Sequence, residues 1–123
     1  MLATPSKEPL VTADPPARPL LDDRALQNAA ALFGMLAAPA RLQILWLLLD
    51  GERDVSTLAA DLDQTVAGVS QHLAKLKLAG LVRARRAGRR QLHLIDDPRI
   101  ADLLRCGLDG QASRNDMHRR SAG

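Results

Sequence analysis

Residues 64–95 read QTVAGVSQHLAKLKLAGLVRARRAGRRQLHLI, and this window contains seven lysines and arginines but no aspartate or glutamate. The rest of the chain has ten basic and 14 acidic side chains, so the window carries +7 and the remainder −4. Positive charge concentrated in one patterned segment indicates a surface that binds a polyanion. The alternative interpretation of such a run is an ordinary solvated face.

The first half of the window has the pattern of a helix. Thr65 is suited to cap a helix that runs from Val66 to about Ala79, and Gly80 is suited to end it. The predicted buried face repeats at helical spacing: Val69, Leu73, Leu76 and Ala79. After Gly80 the period changes to about two, which predicts a strand over 81–86, a turn at 87–88 and a return strand over 89–95.

The segments on either side of the window complete a recognisable order. Asp22 or Asp23 can cap a first helix that runs to about Leu36. Apolar spacing predicts a second helix at 39–49, a short third helix capped by Ser56, and a last helix from Pro98. A short helix and a longer one joined by a tight turn form a helix-turn-helix unit, and a hairpin after it makes the unit winged. The predicted fold class is therefore mainly α: a winged helix-turn-helix with about five helices and a two-stranded β-hairpin.

Composition fits one domain with short tails. We predict a disordered proline-rich arm at residues 1–19, a folded domain at 20–109 and a flexible tail at 110–123. The longest apolar run, Ile44–Leu49, is too short to span a bilayer, and the N-terminus lacks the features of a signal peptide. A single cysteine excludes an intrachain disulfide and fits a reducing compartment. We expect a cytoplasmic protein with no membrane partner.

The helix at 66–79 has side chains suited to reading DNA. Gln71 can form two hydrogen bonds with adenine, and Ser70 can donate or accept one. Lys75 and Lys77 suit the phosphate backbone, and the free N–H groups next to Thr65 favour a phosphate.

The hairpin is predicted to be the wing. Four arginines bracket Gly88 and crowd one turn: Arg85, Arg86, Arg89 and Arg90. Such a cluster repels itself without a polyanion, and arginine binds phosphates and narrow minor grooves. Double-stranded DNA is therefore the predicted partner.

Five strings, in order over about residues 22–105, carry a resemblance to a known family: LAAPARLQIL (36–45), VSTLAADL (55–62), VSQHLAKL (69–76), AGLVR (79–83) and RAGRR (86–90). The chain resembles the ArsR/SmtB family of small bacterial winged-helix repressors. The resemblance implies a homodimer paired through its first and last helices, a two-fold operator overlapping a promoter, and release by an effector. It also implies base contacts by Val66, Ala67, Ser70 and Gln71.

Two positions depart from the family pattern. Asp63 stands where the family usually has glycine. Val66 stands where it often has glutamine or proline, and because valine cannot hydrogen-bond a base, the operator can differ from the family's usual sequence.

The metal sites of the family do not match this sequence. Residues 55–58 contain no cysteine for a thiolate site, and Arg99 replaces the histidine that would follow Asp97 in the site on the last helix. A weak late cluster remains: Cys106, Asp109, Asp116 and His118. Cys106 alone fits a thiol sensor or a small buried side chain. No cofactor is predicted, and a metal or small-molecule effector stays open.

Two other classes of function compete with a DNA-binding regulator. An enzyme is not predicted, because no paired-carboxylate, Ser/His/Asp, Cys/His or phosphate-loop arrangement is present. The alternative is a winged-helix interaction module whose basic face binds an acidic protein. Such a module would lack sequence-preferring duplex binding with a steep salt dependence.

Overall fold

The structure is a computed structural model that describes residues 17–122, with side chains described to residue 119. It contains, in chain order, α1 (Asp23–Leu36), α2 (Pro39–Leu48), α3 (Val55–Leu62), α4 (Val66–Leu78), β1 (Arg83–Ala87), β2 (Arg90–Leu94) and α5 (Pro98–Ala122). This order confirms the predicted winged helix-turn-helix. The described part of the chain divides into two compact units after residue 30, and the division falls within α1.

In the first unit, α1 begins where the sequence predicts. The Asp22 carboxylate accepts a hydrogen bond from the Ala25 N–H at 2.8 Å, which satisfies one of the free donors at the helix start. Leu26 on this helix is 51% exposed. Residues 17–19, the described part of the predicted arm, are exposed and have no regular secondary structure, while residues 1–16 lie outside the described residues.

The second unit has an aliphatic core at the junction of its helices. Ile44 and Leu45 of α2, Leu58 of α3, and Val69 and Leu76 of α4 are fully buried. The remaining core side chains are Leu36, Leu48, Ala59, Leu73, Leu81, Val82 and Leu104. Burial of these side chains is the main force that fixes α4.

The buried faces differ from prediction in two helices. For the second helix, the i, i+3, i+4, i+7 spacing of Leu42, Leu45, Trp46 and Leu49 predicts an inward face. Leu45 is buried, but the other three are half-buried, and Leu49 follows the last residue of α2. Ile44 and Leu48 are buried instead. On α4 the predicted Ala79 is exposed and lies just beyond the helix, while Val69, Leu73 and Leu76 are buried as predicted.

The starts of α3 and α4 are both capped by side chains. Asp54, rather than the predicted Ser56, caps α3: its Oδ1 accepts a hydrogen bond from the Thr57 N–H at 2.8 Å. Thr65 caps α4 as predicted, with Oγ1 accepting from the Gly68 N–H at 3.0 Å. Asp63 between the two helices has a φ of 54°, the left-handed conformation that favours glycine and that aspartate tolerates.

The hairpin is shorter than predicted and its turn lies one residue later. Leu81 and Val82 are buried but precede β1, and Gly88-Arg89 forms the turn, with Gly88 at a φ of 67°. The strands are antiparallel, with Arg83 opposite Leu94 and Ala87 opposite Arg90. β2 also forms a single bridge on its other side, to Arg53 in the loop before α3.

The last helix is longer than predicted. The sequence predicts that the folded domain ends near residue 109 and that a flexible tail follows, but helix α5 continues to Ala122. Residues 111–119 are exposed, but Gln111, Ala112 and Asn115 line a pocket together with Leu42 and Trp46, so the start of this extension lies beside α2. No single helix in the described part of the chain is long and apolar enough to cross a membrane; α1 and α2 pass that test only when taken together.

Candidate nucleic-acid interface

Helix α4 and its cap residue Thr65 present to solvent every residue that the sequence predicts to contact DNA from this helix. Its buried side chains fix one face, and the predicted residues are all exposed: Thr65, Val66, Ala67, Ser70, Gln71, Lys75 and Lys77. The apolar side chain of Val66 is 48% exposed to solvent rather than buried in the core. The outward face of α4 is therefore small and polar near its start and basic near its end.

The Thr65 hydroxyl stabilises the helix start, because it accepts the hydrogen bond of the Gly68 N–H. Glycine at 68 suits this contact: a Cβ there would lie 3.0 Å from the Thr65 Oγ1 and would crowd the cap. The start of α4 is thus set by a local hydrogen bond, which leaves the outer side chains of its first turn free to face a partner.

Carboxylates from outside the acid-free window bind three of its arginines. Glu52 accepts two hydrogen bonds from Arg85, at 2.5 Å from Nε and 2.6 Å from Nη2. Asp54 accepts one from Arg90 Nε at 2.9 Å, and Arg83 Nε lies 2.5 Å from an Asp96 oxygen. The prediction that the wing arginines repel one another without a polyanion is wrong for Arg85 and Arg90.

These pairs keep the carboxylates ionised. The hydrogen bond from Arg85 lowers the pKa of Glu52. Hydrogen bonds from Thr57, and then from Arg90, lower the pKa of Asp54 from 3.8 to about 2. Each carboxylate therefore stays negative near neutral pH and remains a partner for its arginine.

Four cations of the window remain without such a partner. Within the side chains that the structure describes, no carboxylate forms an ion pair with Lys75, Lys77, Arg86 or Arg89. Three of the seven positive side chains in the window are thus paired with carboxylates of the same chain. Two lysines of α4 and two wing arginines are left to bind a polyanion.

A small pocket joins the recognition helix to the second wing strand. It has a volume of about 180 Å³ and is lined by Val55, Ser70, Leu73, Ala74, Lys77, Gln91 and His93. His93 is only 6% exposed, its Nδ1 has no hydrogen-bond partner, and burial followed by the nearby charge of Lys77 lowers its pKa. Because side chains of α4 and β2 line one pocket, helix and wing form a continuous surface.

The sequence missed the segment that supports the wing from the other side. The His93 N–H donates to the Arg53 carbonyl at 2.8 Å, and the Arg53 N–H donates back at 3.2 Å. Glu52 and Asp54 flank this bridge and provide the carboxylates for the wing. The only sequence signal is the charged run GERD at 51–54, which does not indicate a partner more than 30 residues away.

The late metal candidates do not come together. Cys106, Asp109, Asp116 and His118 are exposed along α5, where a rise of about 1.5 Å per residue separates the first from the last by about 18 Å. Asp97 instead pairs with Arg99, which lowers the pKa of the carboxyl. Over the described residues, no three His, Cys, Asp or Glu side chains form a group that could hold a metal.

A second exposed surface of the 31–123 unit is apolar. A pocket of about 240 Å³ is lined by Phe33, Leu36, Leu42, Leu103, Leu104, Gly107 and Leu108, from α1, α2 and α5. Phe33 is 56% and Leu103 37% exposed. Large apolar side chains grouped at a surface are typical of a protein–protein contact.

Comparison with known proteins gives consistent matches. The profile described as bacterial regulatory protein, arsR family, matches residues 38–84. The HTH-type transcriptional regulator KmtR of Mycobacterium tuberculosis is 39% identical over 92 residues, 75% of this chain and 70% of KmtR.

Solved structures match as well. The homodimeric winged helix-turn-helix DNA-binding domain Mb0332 of Mycobacterium bovis has a TM-score of 0.67 and 35% identity, over 77% of this chain and 91% of that domain. The antimony-specific transcriptional repressor AntR has a TM-score of 0.70 and 28% identity, over 88% of this chain and 95% of AntR.

Proposed function

This chain belongs to the arsR family of bacterial regulatory proteins, and on that premise we propose that it represses transcription as a homodimer that leaves a two-fold operator when an effector binds. It is a DNA-binding regulator of transcription, as its relatives are named. One observation carries the proposal: the exposed face of α4 and the wing strand β2 line one pocket, so they can meet one duplex together.

In this proposal α4 reads the major groove. Ser70 and Gln71 form hydrogen bonds with base edges, while the small side chain of Ala67 lets the helix come close to them. Thr65, Lys75 and Lys77 bind the backbone, and Val66 makes an apolar contact. The wing arginines supply positive charge beside the groove: Arg85, Arg86, Arg89 and Arg90.

The dimer is proposed to form through α1 and α5. The apolar pocket that includes Phe33 and Leu103 lies on these helices, and a partner would remove that surface from water. The related Mb0332 domain is described as homodimeric. A two-fold dimer places two copies of α4 in position for the two halves of a palindromic operator.

The family supports repression, and relief of repression by an effector is part of the proposal. AntR is named a repressor specific for antimony, which supports repression as the direction of control and a small inorganic effector as one class to test. We propose a cytoplasmic location, where the operator is accessible.

Fluorescence anisotropy with purified protein tests this function. The probes are a labelled duplex from the region upstream of its own coding sequence and a scrambled duplex of the same length, each at two salt concentrations. If the dimer makes about eight phosphate contacts, the slope of log affinity against log salt is roughly −7. The double variant Arg86→Ala/Arg89→Ala should weaken binding to both probes, and Arg114→Ala on α5 is the matched control.

A panel of divalent metals, antimonite and an oxidant is then added to the bound complex. Release by one member supports the repressor and identifies its effector class, whereas binding that no member changes points to an organic effector. Weak binding with no preference for the upstream duplex would contradict the proposal and favour a module that binds an acidic protein.

A further inference from the structure

The pleat of the hairpin separates its arginines into two sets. Cross-strand partners share a face, and successive residues of a strand alternate between faces. Arg85 lies opposite Leu92 and Arg90 lies opposite Ala87, so both belong to one face of the hairpin, together with Arg83. This face is called the Leu92 face. Arg86 lies opposite Gln91 on the other face, and Arg89 is in the turn.

Ion pairing follows the same division. Each arginine on the Leu92 face binds a carboxylate: Arg83 binds Asp96, Arg85 binds Glu52 and Arg90 binds Asp54. Among the described side chains, Arg86 and Arg89 have no carboxylate partner. Ion pairing thus agrees with strand register for the four arginines in the strands, and it places Arg89 of the turn with Arg86.

The face that carries Arg86 is also the one next to the recognition helix. Its neighbours on that face, Gln91 and His93, line the pocket shared with Ser70 and Lys77 of α4. The side of the hairpin that carries Arg86 is therefore the side that adjoins α4.

The Leu92 face instead contacts the loop before α3. Glu52 holds Arg85 with two hydrogen bonds, the geometry in which a surface ion pair contributes most. Asp54 uses one oxygen to cap α3 and the other to bind Arg90. The Arg53–His93 bridge lies between these two carboxylates, so the same three-residue segment holds β2 by backbone and side chains.

We infer that Arg85 and Arg90 are positioning residues that fix the wing against Glu52 and Asp54, and that Arg86 and Arg89 make the wing's contacts with DNA. This inference rests on the proposed function and refines it: the wing binds phosphate with two arginines per protomer rather than four. It also assigns Glu52 and Asp54, two acidic residues, a role in affinity for a polyanion.

Salt dependence separates the two roles. On a short mixed-sequence duplex, Arg86→Ala should lower both the affinity and the salt slope, by about 0.9 per protomer or 1.8 per dimer. Arg85→Ala should lower the affinity and leave the slope unchanged. Glu52→Gln should reproduce the loss seen with Arg85→Ala, and Asp54→Asn, which keeps a good helix cap, should do the same for Arg90.

A charge exchange gives the sharpest result. The double variant Glu52→Arg/Arg85→Glu rebuilds the ion pair with its ends reversed and should bind the duplex much more tightly than Arg85→Glu alone. If Arg85 itself binds a phosphate, the exchange places a carboxylate there and restores no more affinity than Glu52→Arg adds to the wild type through its charge. That result, or a loss of salt slope in Arg85→Ala equal to that in Arg86→Ala, would overturn the inference.

Amide hydrogen exchange of the DNA-free protein provides a readout that needs no duplex. Glu52→Gln should speed exchange in β1 and β2, and Arg86→Ala should leave it unchanged. If the wild type binds neither duplex, the proposed function fails. The exchange rates of the Glu52→Gln and Asp54→Asn variants then decide by themselves whether these two carboxylates hold the wing. Unchanged rates in Glu52→Gln would overturn the inference on its own.

Discussion

Replacing Gln71 with alanine should remove sequence preference more than it removes binding. Gln71 is exposed on α4 beside Ser70, and a bidentate contact between its amide and adenine contributes about 1–3 kcal/mol of discrimination. A homodimer presents two such side chains, so the operator complex loses about 2–6 kcal/mol. Since about 1.4 kcal/mol is tenfold in affinity, the expected loss is at least roughly 30-fold.

Anisotropy titrations with the upstream duplex and a scrambled duplex measure this effect directly. Gln71→Ala should weaken binding to the scrambled duplex by less than about twofold, because phosphate contacts are unchanged. Gln43→Ala is the matched control, since Gln43 is an exposed glutamine on α2. Equal losses on the two duplexes would refute base reading by Gln71.

Three further predictions concern stability and assembly. Thr65→Ala should lower the free energy of unfolding by about 1 kcal/mol in urea denaturation, and Thr65→Ser should restore most of it, because the hydroxyl caps α4. Asp54 has a pKa of about 2 in the folded protein, below its ordinary value of 3.8, so the ionised side chain stabilises the fold above roughly pH 4 and loses this effect as the pH falls toward 2. The difference in urea midpoint between wild type and Asp54→Asn should therefore shrink over that interval. A constant difference would contradict this. Phe33→Glu should shift sedimentation from dimer to monomer, whereas Leu78→Glu, at a side chain 91% exposed on α4, should leave the dimer intact.

Local patterns made much of the fold predictable. The cap at Thr65 and the buried face of Val69, Leu73 and Leu76 depend on residues three or four apart, a spacing that the sequence displays directly. The left-handed conformation of Gly80 after α4 is likewise a local requirement. These local features predict α4, its first residue and most of its buried face, and the prediction was wrong only at Ala79, which is exposed just beyond the helix.

Other features had no local signal. The second half of α2, from Ile44 to Leu48, is apolar on all sides, so no polar residue there marks the outward face, and the predicted face was partly wrong. Glu52 and Arg85 are 33 residues apart, and Asp54 and Arg90 are 36 apart. Such pairs form only because the hairpin packs against the loop before α3. The number and order of charged residues along the chain do not reveal that packing.

The bridge between Arg53 and His93 leaves the wing with one open side. β2 is flanked by β1 and by Arg53, while the outer edge of β1 has no strand partner in the described part of the chain. An unpaired strand edge is a template for association with other chains, and closely spaced charges along it discourage such pairing. Three of the five residues of β1 are arginines, so they also protect the protein against aggregation. Alanine variants that remove several of them should be checked by light scattering, because self-association through β1 would imitate a loss of DNA binding.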